Sequence, residues 1–317
     1  MSTPYAPQQP AAPQQPTPAS QGAHGHAPEG LAQPAPSGEK KTHLGHAIAS
    51  EWTKIRSVRS TIWTLAAMFV LVVGIGLLVG LAFGSADYAE IPVLAPGLFG
   101  LMLGQLAIIT LGVLVVTSEY STGMIRTTLA VSPRRTRVLT AKALVFFVLS
   151  FVMTFAACGL TAFIHSAMIE GKPLSPYPDP AIWNEDAMAA GQATATSTQW
   201  LDATLGASLY VSLLGLLSLA VGTLLRSTPG TVTTMLGLVL LPFIASLFMV
   251  TESTRELGDT IREYSTLNGL ATLYHIPFRF DFDPGDEING WPLLGLLAAV
   301  TGAVLIAAYA RIATRDV

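Results

Sequence analysis

Long apolar runs alternate with polar segments along most of the chain. Six runs are 20 to 23 residues long, and their only charged residue is Arg311, near the end of the last run. At about 1.5 Å per helical residue, each run spans the hydrocarbon core of a bilayer, about 30 Å thick, whereas helices of soluble proteins are usually shorter. The pattern predicts an all-α membrane protein with six transmembrane helices. They are predicted at 61–83, 97–116, 143–164, 203–225, 231–250 and 291–313.

A helical periodicity precedes the first run, in the segment LGHAIASEWTKIRSVRS at 44–60. Its apolar residues form one stripe about 120° wide. They are Leu44, Ile48, Trp52, Ile55 and Val58. The pattern predicts an amphipathic helix within 43–60 that lies in the membrane interface, with Trp52 at headgroup depth. Glu51 and Arg59 project near the middle of the stripe, so each must be paired or extend towards water.

The segment before this helix has a different composition. Residues 1–42 are rich in Pro, Gln, Ala and Gly and contain no apolar run. Such a segment cannot bury enough apolar surface to offset its ordering entropy, and it lacks the basic start and apolar stretch of a signal peptide. We therefore expect three regions: a disordered cytoplasmic tail at 1–42, the interfacial helix at 43–60 and the transmembrane domain at 61–317.

The overall composition is typical of a membrane protein and excludes two kinds of cysteine chemistry. Hydrophobic residues make up 51% of the chain and charged residues 12%, and the mean hydropathy is +0.52. Soluble domains carry about 25% charged residues. Cys158 is the single cysteine, so the chain forms no intramolecular disulfide and has no cysteine cluster for a metal.

The basic residues are distributed unevenly between the predicted loops. With the N-terminus inside, 13 of the 17 lysines and arginines fall on the inner side. The four outer ones are Lys172, Arg255, Arg262 and Arg279. This distribution predicts a multi-pass protein of the plasma (cytoplasmic) membrane with both termini in the cytoplasm. Of the long outer loops, 165–202 is rich in proline and is predicted to be irregular, whereas 251–290 is predicted to begin with a polar helix.

Recognisable enzyme signatures are missing from the sequence. There is no phosphate-binding loop, no HExxH, no GxSxG and no Asp and His clustered at one membrane face, so we expect no catalytic residue, no metal and no cofactor. Gln105, near the centre of the second span, has two interpretations: it lines a translocation path or makes an interhelical hydrogen bond. His165 is expected to face headgroups or water, and His275 to be an interfacial side chain.

Small residues recur at a spacing of four in two of the spans. The pairs are Gly100 with Gly104, Ser208 with Ser212, and Ser218 with Gly222. Such pairs predict close approach of helices, either within one protomer or between two protomers.

The connection between the second and third spans combines apolar and basic residues. Tyr120 and Met124 share one helical face while Ile125 and Leu129 point elsewhere, which suits an element between the membrane and a docked protein. The basic residues that follow are predicted to surround the start of the third span and to fix its orientation. They are Arg134, Arg135, Arg137 and Lys142.

Two segments of this sequence resemble the membrane subunit of type-2 ATP-binding cassette exporters, especially actinobacterial permeases. They are SEWTKIRSVRSTIWTL at 50–65 and SEYSTGMIRTTLAVSPRRTRVLTAKAL at 118–144. The resemblance implies that the helix before the first span lies on the inner membrane surface and that the second-to-third connection is a coupling helix that docks on a separate ATPase. It further implies an assembly of two permease bodies and two ATPase domains. The implied docking residues are Glu119, Tyr120, Ser121, Thr122, Gly123, Met124, Ile125 and Arg126.

The sequence therefore leads to the hypothesis of a permease subunit that moves a substrate outward and is itself not an enzyme. Its expected partners are a separate ATPase, a second permease protomer of the same or another chain, and membrane lipid, with no nucleic acid. Two alternatives remain: an ATP-independent carrier or channel, and a non-transporting membrane anchor that recruits a cytoplasmic partner.

Overall fold

The computed structural model describes residues 43–121, 135–180, 182–249, 251–276, 278 and 288–314, without the side chains of 121 and 135. Within these ranges, six helices are long and apolar enough to cross a membrane, and no strand forms. The predicted six-span all-α membrane fold is confirmed. The proposed tail at 1–42 lies outside the described residues.

Helices account for nearly all regular structure in the described ranges. They are α1 (Leu44–Ser57), α2 (Arg59–Gly84), α3 (Gly97–Ser121), α4 (Arg135–Ile169), α5 (Glu185–Ala190), α6 (Ser197–Leu201), a π-helical turn (Asp202–Gly206), α7 (Ala207–Leu225), α8 (Thr228–Leu247), α9 (Glu252–Glu263), α10 (Thr266–Thr272) and α11 (Trp291–Thr314). The spans are α2, α3, α4, the continuous segment from α6 to α7, α8 and α11.

Five of the six spans extend beyond the apolar runs that predicted them, whereas α8 begins before the predicted 231 and ends at Leu247, before the predicted 250. The largest difference is in α4, which begins before the predicted 143 and continues beyond 164 to Ile169. The fourth span starts at Ser197, where Thr196 and Gln199 form a capping box that satisfies the first N–H groups of α6. The π-helical turn then follows without interrupting the helix. Polar residues at these ends are therefore part of the spans rather than of the loops.

α7 is the central helix of the bundle and packs against α3, α4 and α11. Its residues Val211, Leu214 and Leu219 are fully buried. Where α3 crosses α7, Ser218 donates a hydrogen bond to the carbonyl oxygen of Ile109 at 2.9 Å. A Cβ atom on Gly112 would overlap the backbone oxygen of Gly215. The two helices therefore approach at backbone contact, with hydrogen bonds and small residues at the crossing.

The predicted GxxxG pair also serves packing within this chain. Gly100 faces the backbone of Val72 on α2, and Gly104 faces the Val72 side chain. A side chain at either position would overlap α2. The close approach predicted for this pair is therefore made between α2 and α3 of one protomer.

The two ends of the bundle differ in construction. One end, called here the α1 face, contains α1 and the ends of α3 and α4 that flank residues 122–134. The opposite end, called the α9 face, contains the loops after α2 and α4 together with α9 and α10. There Lys172 donates hydrogen bonds to the carbonyl oxygens of Gly84 and Ala86, which ties these two loops together.

One of the two long loops of the α9 face contains more helix than its sequence predicted. Segment 165–202, predicted to be irregular, contains α5 and α6 and two isolated β-bridges. The side chain of Asn184 caps α5 by accepting a hydrogen bond from the backbone N–H of Ala187. In segment 251–290 the predicted polar helix is present as α9, and the buried residues Leu267 and Leu270 hold α10 against the bundle.

Candidate functional site

The connection between α3 and α4 is the segment that the resemblance assigns to a docked partner. Of the implied docking residues, Glu119, Tyr120 and Ser121 form the last turn of α3. Thr122, Gly123, Met124, Ile125 and Arg126 lie outside the described residues, as do residues 127–134. The structure thus describes the two helix ends between which the connection runs.

Four charged side chains from three helices meet beside these helix ends. This ion cluster consists of Glu51 and Lys54 on α1, Glu119 on α3 and Lys142 on α4. Lys142 Nζ lies 2.8 Å from Glu51 Oε2 and 2.9 Å from Glu119 Oε1. Lys54 Nζ lies 2.8 Å from Glu51 Oε1 and 3.2 Å from Glu119 Oε1. The cluster therefore connects α1 to both ends that flank the connection.

Burial distinguishes this cluster from surface ion pairs. Glu51 is 3% exposed, Lys142 4% and Glu119 7%, so three of the four charges are shielded from water. The third N–H of Lys142 donates to the carbonyl oxygen of Val115 at 3.3 Å, which satisfies that ammonium group completely. Unlike exposed pairs, a buried set of this kind becomes costly as soon as one member is removed.

The cluster accounts for two charged residues whose surroundings the sequence left open or predicted differently. Glu51 interrupts the apolar stripe of α1, and it is paired with the two lysines rather than extended towards water. Lys142 was expected among the basic residues around the start of the third span, but its side chain points into the bundle. The reason is that α4 begins at Arg135, which places Lys142 two turns inside the helix, opposite α1 and α3.

The charged state of the two α1 residues is favoured by the cluster. Burial on its own would raise the pKa of Glu51, but Lys142 and Lys54 outweigh it and hold the pKa below the ordinary 4.5. For Lys54, burial opposes the charge, yet Glu51 and Glu119 raise its pKa above 10.5. Both groups are therefore ionised throughout the physiological pH range.

The lowered pKa of Glu51 gives a pH-dependent prediction. The stabilisation is complete above the unfolded value of 4.5 and is lost as the pH falls through the lower folded value. We expect wild type to be more stable than Glu51→Gln by a constant amount between about pH 6 and 8, and this difference to shrink below pH 4.5. SDS titration of both proteins in mixed micelles measures the difference. A difference that grows on acidification would contradict the assignment.

Further contacts connect the end of α3 to the other helices of the α1 face. The guanidinium carbon of Arg226 lies 5.4 Å from the centre of the Tyr120 ring, a cation–π contact. Thr228, in the first turn of α8, donates a hydrogen bond to Thr117 Oγ1 at 2.8 Å. The last turn of α3 is therefore held by α1 and α4 on one side and by the connection between α7 and α8 on the other.

Gln105 is fully buried, and its side chain bonds within its own helix rather than to a neighbouring one. Its Nε2 donates to the carbonyl oxygen of Met102, on its own helix, at 3.1 Å. Its Oε1 has no hydrogen-bond partner. An interhelical hydrogen bond from Gln105 is therefore absent from the described residues, and its place on a translocation path stays a prediction.

A second polar cluster lies at the α9 face. Asp202, which begins the π-helical turn, accepts a hydrogen bond from Trp291 Nε1 at 2.7 Å. Its other oxygen is 3.0 Å from His275 Nε2. The expectation that no Asp and His meet at one membrane face is therefore wrong. In the sequence, Asp202 directly precedes the fourth apolar run and Trp291 begins the sixth, both at the same face, and this shared position was the available signal. His275 reaches them with a left-handed backbone, φ 58°.

His165 also differs from its expected position. It is fully buried, and its Nε2 lies 2.9 Å from the carbonyl oxygen of Gly76. α4 continues beyond residue 164, and the absence of side chains at Gly76 and Gly80 leaves room for the imidazole ring. The spacing of four between these two glycines was the sequence signal for a bulky neighbour on an adjacent helix.

Neither comparison with known proteins identifies a relative. No protein-family model matches the chain, and no curated protein matches it. Among the described residues, no group of three or more His, Cys, Asp or Glu side chains is placed to hold a metal ion. The ion cluster beside the connection joins buried charges from three helices, and it is the arrangement from which a function can be argued.

Proposed function

We propose that this chain is the permease subunit of an ATP-binding cassette exporter and that a separate ATPase docks on the connection between α3 and α4. The observation on which the proposal mainly depends is the ion cluster. It joins the two helix ends that flank the connection to α1, through Glu119, Lys142 and Glu51. The resemblance of segments 50–65 and 118–144 to such permeases is the second support.

The geometry provides a path from the connection into the bundle. A displacement of residues 122–134 acts on Glu119 and Lys142, whose side chains are in direct contact. Lys142 is bonded to Glu51, so α1 moves with them. Since only Val58 separates the end of α1 from the start of α2, movement of α1 is passed to the first span. Closure of the ATPase would therefore act on three spans together.

The distribution of charge in the spans favours an external source of energy. All Asp, Glu, Lys and Arg residues of the described spans lie in the turns towards their ends. Ion-coupled carriers commonly place ionisable groups near the middle of the membrane.

The burial of Glu119 changes its proposed role. A buried carboxylate positions the connection, while Thr122 to Arg126 make the contact with the ATPase.

The proposal is tested by stimulation of ATP hydrolysis. The complex of the full chain with its ATPase is reconstituted, and its rate is compared with that of the ATPase alone. The double variant Met124→Gln, Arg126→Gln changes two of the proposed contact residues and should lose most of the stimulation while inserting normally in the membrane. A matched double variant at the α9 face, Arg255→Gln, Glu256→Gln, changes two exposed charges and should retain it. Equal stimulation by wild type and the first variant would reject the assigned contact.

A further inference from the structure

A cleft of about 400 Å³ lies over the ion cluster, between α1, the start of α2 and the last turns of α3. Its volume is in the range of ligand-binding sites, about 300–1,000 Å³. The four charged residues of the cluster line one part of it, and Leu111 and Leu114, further along α3, line another. At 1.5 Å per helical residue, Leu111 lies about 12 Å deeper along α3 than Glu119. The cleft is therefore polar at the membrane surface and apolar towards the bilayer, which suits an amphiphile.

The polar end lacks one hydrogen-bond donor. Both lysines of the cluster bind Glu119 through Oε1, and Oε2 has no partner among the described residues, although Glu119 is only 7% exposed. A buried carboxylate oxygen strongly favours a donor, and a charged one most of all. Lys54, with 32% of its side chain exposed, is the most accessible member of the cluster and also lines the cleft. A change of its rotamer gives a bound ammonium group access to Oε2.

The start of α2 offers the complementary site for an anion. α2 is 26 residues long, and Val58 at its N-cap provides no side-chain acceptor for the first N–H groups. Val58, Ser60 and Thr61 line the cleft. The N-terminus of a long helix without a side-chain cap favours a phosphate group, and Lys54, once its rotamer has changed, adds a charged donor. The cleft thus presents an anion site and a cation site side by side.

We propose that this cleft binds a phospholipid with a primary-ammonium headgroup, an ethanolamine phospholipid. The phosphate lies at the start of α2, the ammonium group donates to Glu119 Oε2, and the acyl chains extend along Leu111 and Leu114. The two glutamates and two lysines are together neutral, and a zwitterionic headgroup preserves this balance. A lipid site of this kind is independent of whether an ATPase docks on the chain.

Native mass spectrometry of the full-length protein in detergent measures the proposed preference. The added lipids are phosphatidylethanolamine, phosphatidylcholine and phosphatidylglycerol with identical acyl chains. Choline has no N–H to donate and glycerol has no positive charge, so we expect the ethanolamine lipid to bind about tenfold more tightly than either. Equal affinities for the three lipids would overturn the proposal. Displacement of the lipid by an equal concentration of free phosphoethanolamine would assign the cleft to a soluble ligand and would also overturn it.

Two variants locate the bound lipid. Glu119→Gln should abolish the preference for the ethanolamine headgroup. Leu114→Trp fills the apolar part of the cleft and leaves the four charged residues in the sequence, and it should weaken binding of all three lipids about tenfold. Leu78→Trp is the matched control, because Leu78 is 67% exposed on α2 and does not line the cleft. If Leu114→Trp binds the ethanolamine lipid as tightly as Leu78→Trp does, the lipid lies elsewhere and the proposal is wrong.

Discussion

Replacing Lys142 with methionine should lower the free energy of unfolding by about 3–5 kcal/mol, because it leaves two buried carboxylates without their shared counter-charge. Glu51 and Glu119 would retain only Lys54, which is bonded to both but is partly exposed. The carbonyl oxygen of Val115 would also lose its bond from Lys142. SDS titration in mixed micelles, followed by far-UV circular dichroism, measures the change.

Two further variants separate charge from packing in this experiment. Arg56→Met removes an exposed charge from the same face and should change stability by less than about 0.5 kcal/mol. Combining Lys142→Met with Glu51→Gln and Glu119→Gln should recover much of the lost stability, since no buried carboxylate remains unpaired. A triple variant as unstable as Lys142→Met alone would show that the charge imbalance is not the cause.

Gly112→Ala should be the most destabilising of the glycine substitutions in the spans. The new Cβ would overlap both Ser218 Oγ and the backbone oxygen of Gly215. A backbone atom cannot rotate away, so α3 and α7 must separate at their crossing and the Ser218 bond to Ile109 is lost. We expect a loss of about 1–3 kcal/mol or more, measured by the same titration.

Gly159→Ala is the matched control for this packing effect. A Cβ on Gly159, in α4, has nothing within 4 Å. The same substitution should therefore stabilise the helix by about 0.5–1 kcal/mol through the higher helix propensity of alanine. If the two variants had equal stability, the close approach of α3 and α7 would not limit the fold.

The positions of the six spans follow from the sequence because a bilayer imposes one length and one polarity on each helix. The ends of the spans do not follow, because water and the protein interior can both accept a polar residue there. Lys142 and His165 lie just outside or at the edge of apolar runs, and in the structure both are within α4 and buried. Hydropathy alone cannot distinguish a polar side chain at a helix end from one directed into the bundle.

The ion cluster depends on contacts between residues far apart in the chain. Glu51 and Lys142 are 91 positions apart, and no pattern in the sequence around either residue identifies the other as its partner. The sequence did indicate that Glu51 needed a partner, since it interrupts an apolar stripe. It also placed Glu119 in the segment of interest, but as a surface contact, whereas the structure directs its carboxylate into the cluster. Pairing across helices requires knowledge of their arrangement, which periodicity does not provide.

The same limit applies at the α9 face. Asp202, His275 and Trp291 come from three separate segments, and the left-handed backbone of His275 is not encoded by a glycine or asparagine. Small-residue pairs were more informative, since the predicted close approach at Gly100 and Gly104 is made between α2 and α3. The spacing of small residues within one helix identifies the face that packs. The helix that packs against this face is known only from the structure.

Site-specific crosslinking detects whether an ATPase docks on the connection between α3 and α4. A photo-reactive amino acid is placed at Met124 or Ile125 in the full chain in its native membrane, and at Leu257, an exposed residue of α9, as the control. We expect a crosslink from the connection to a protein that hydrolyses ATP, and none from Leu257. Absence of an ATP-hydrolysing protein from the products of Met124 and Ile125, with normal insertion of the chain, would contradict it.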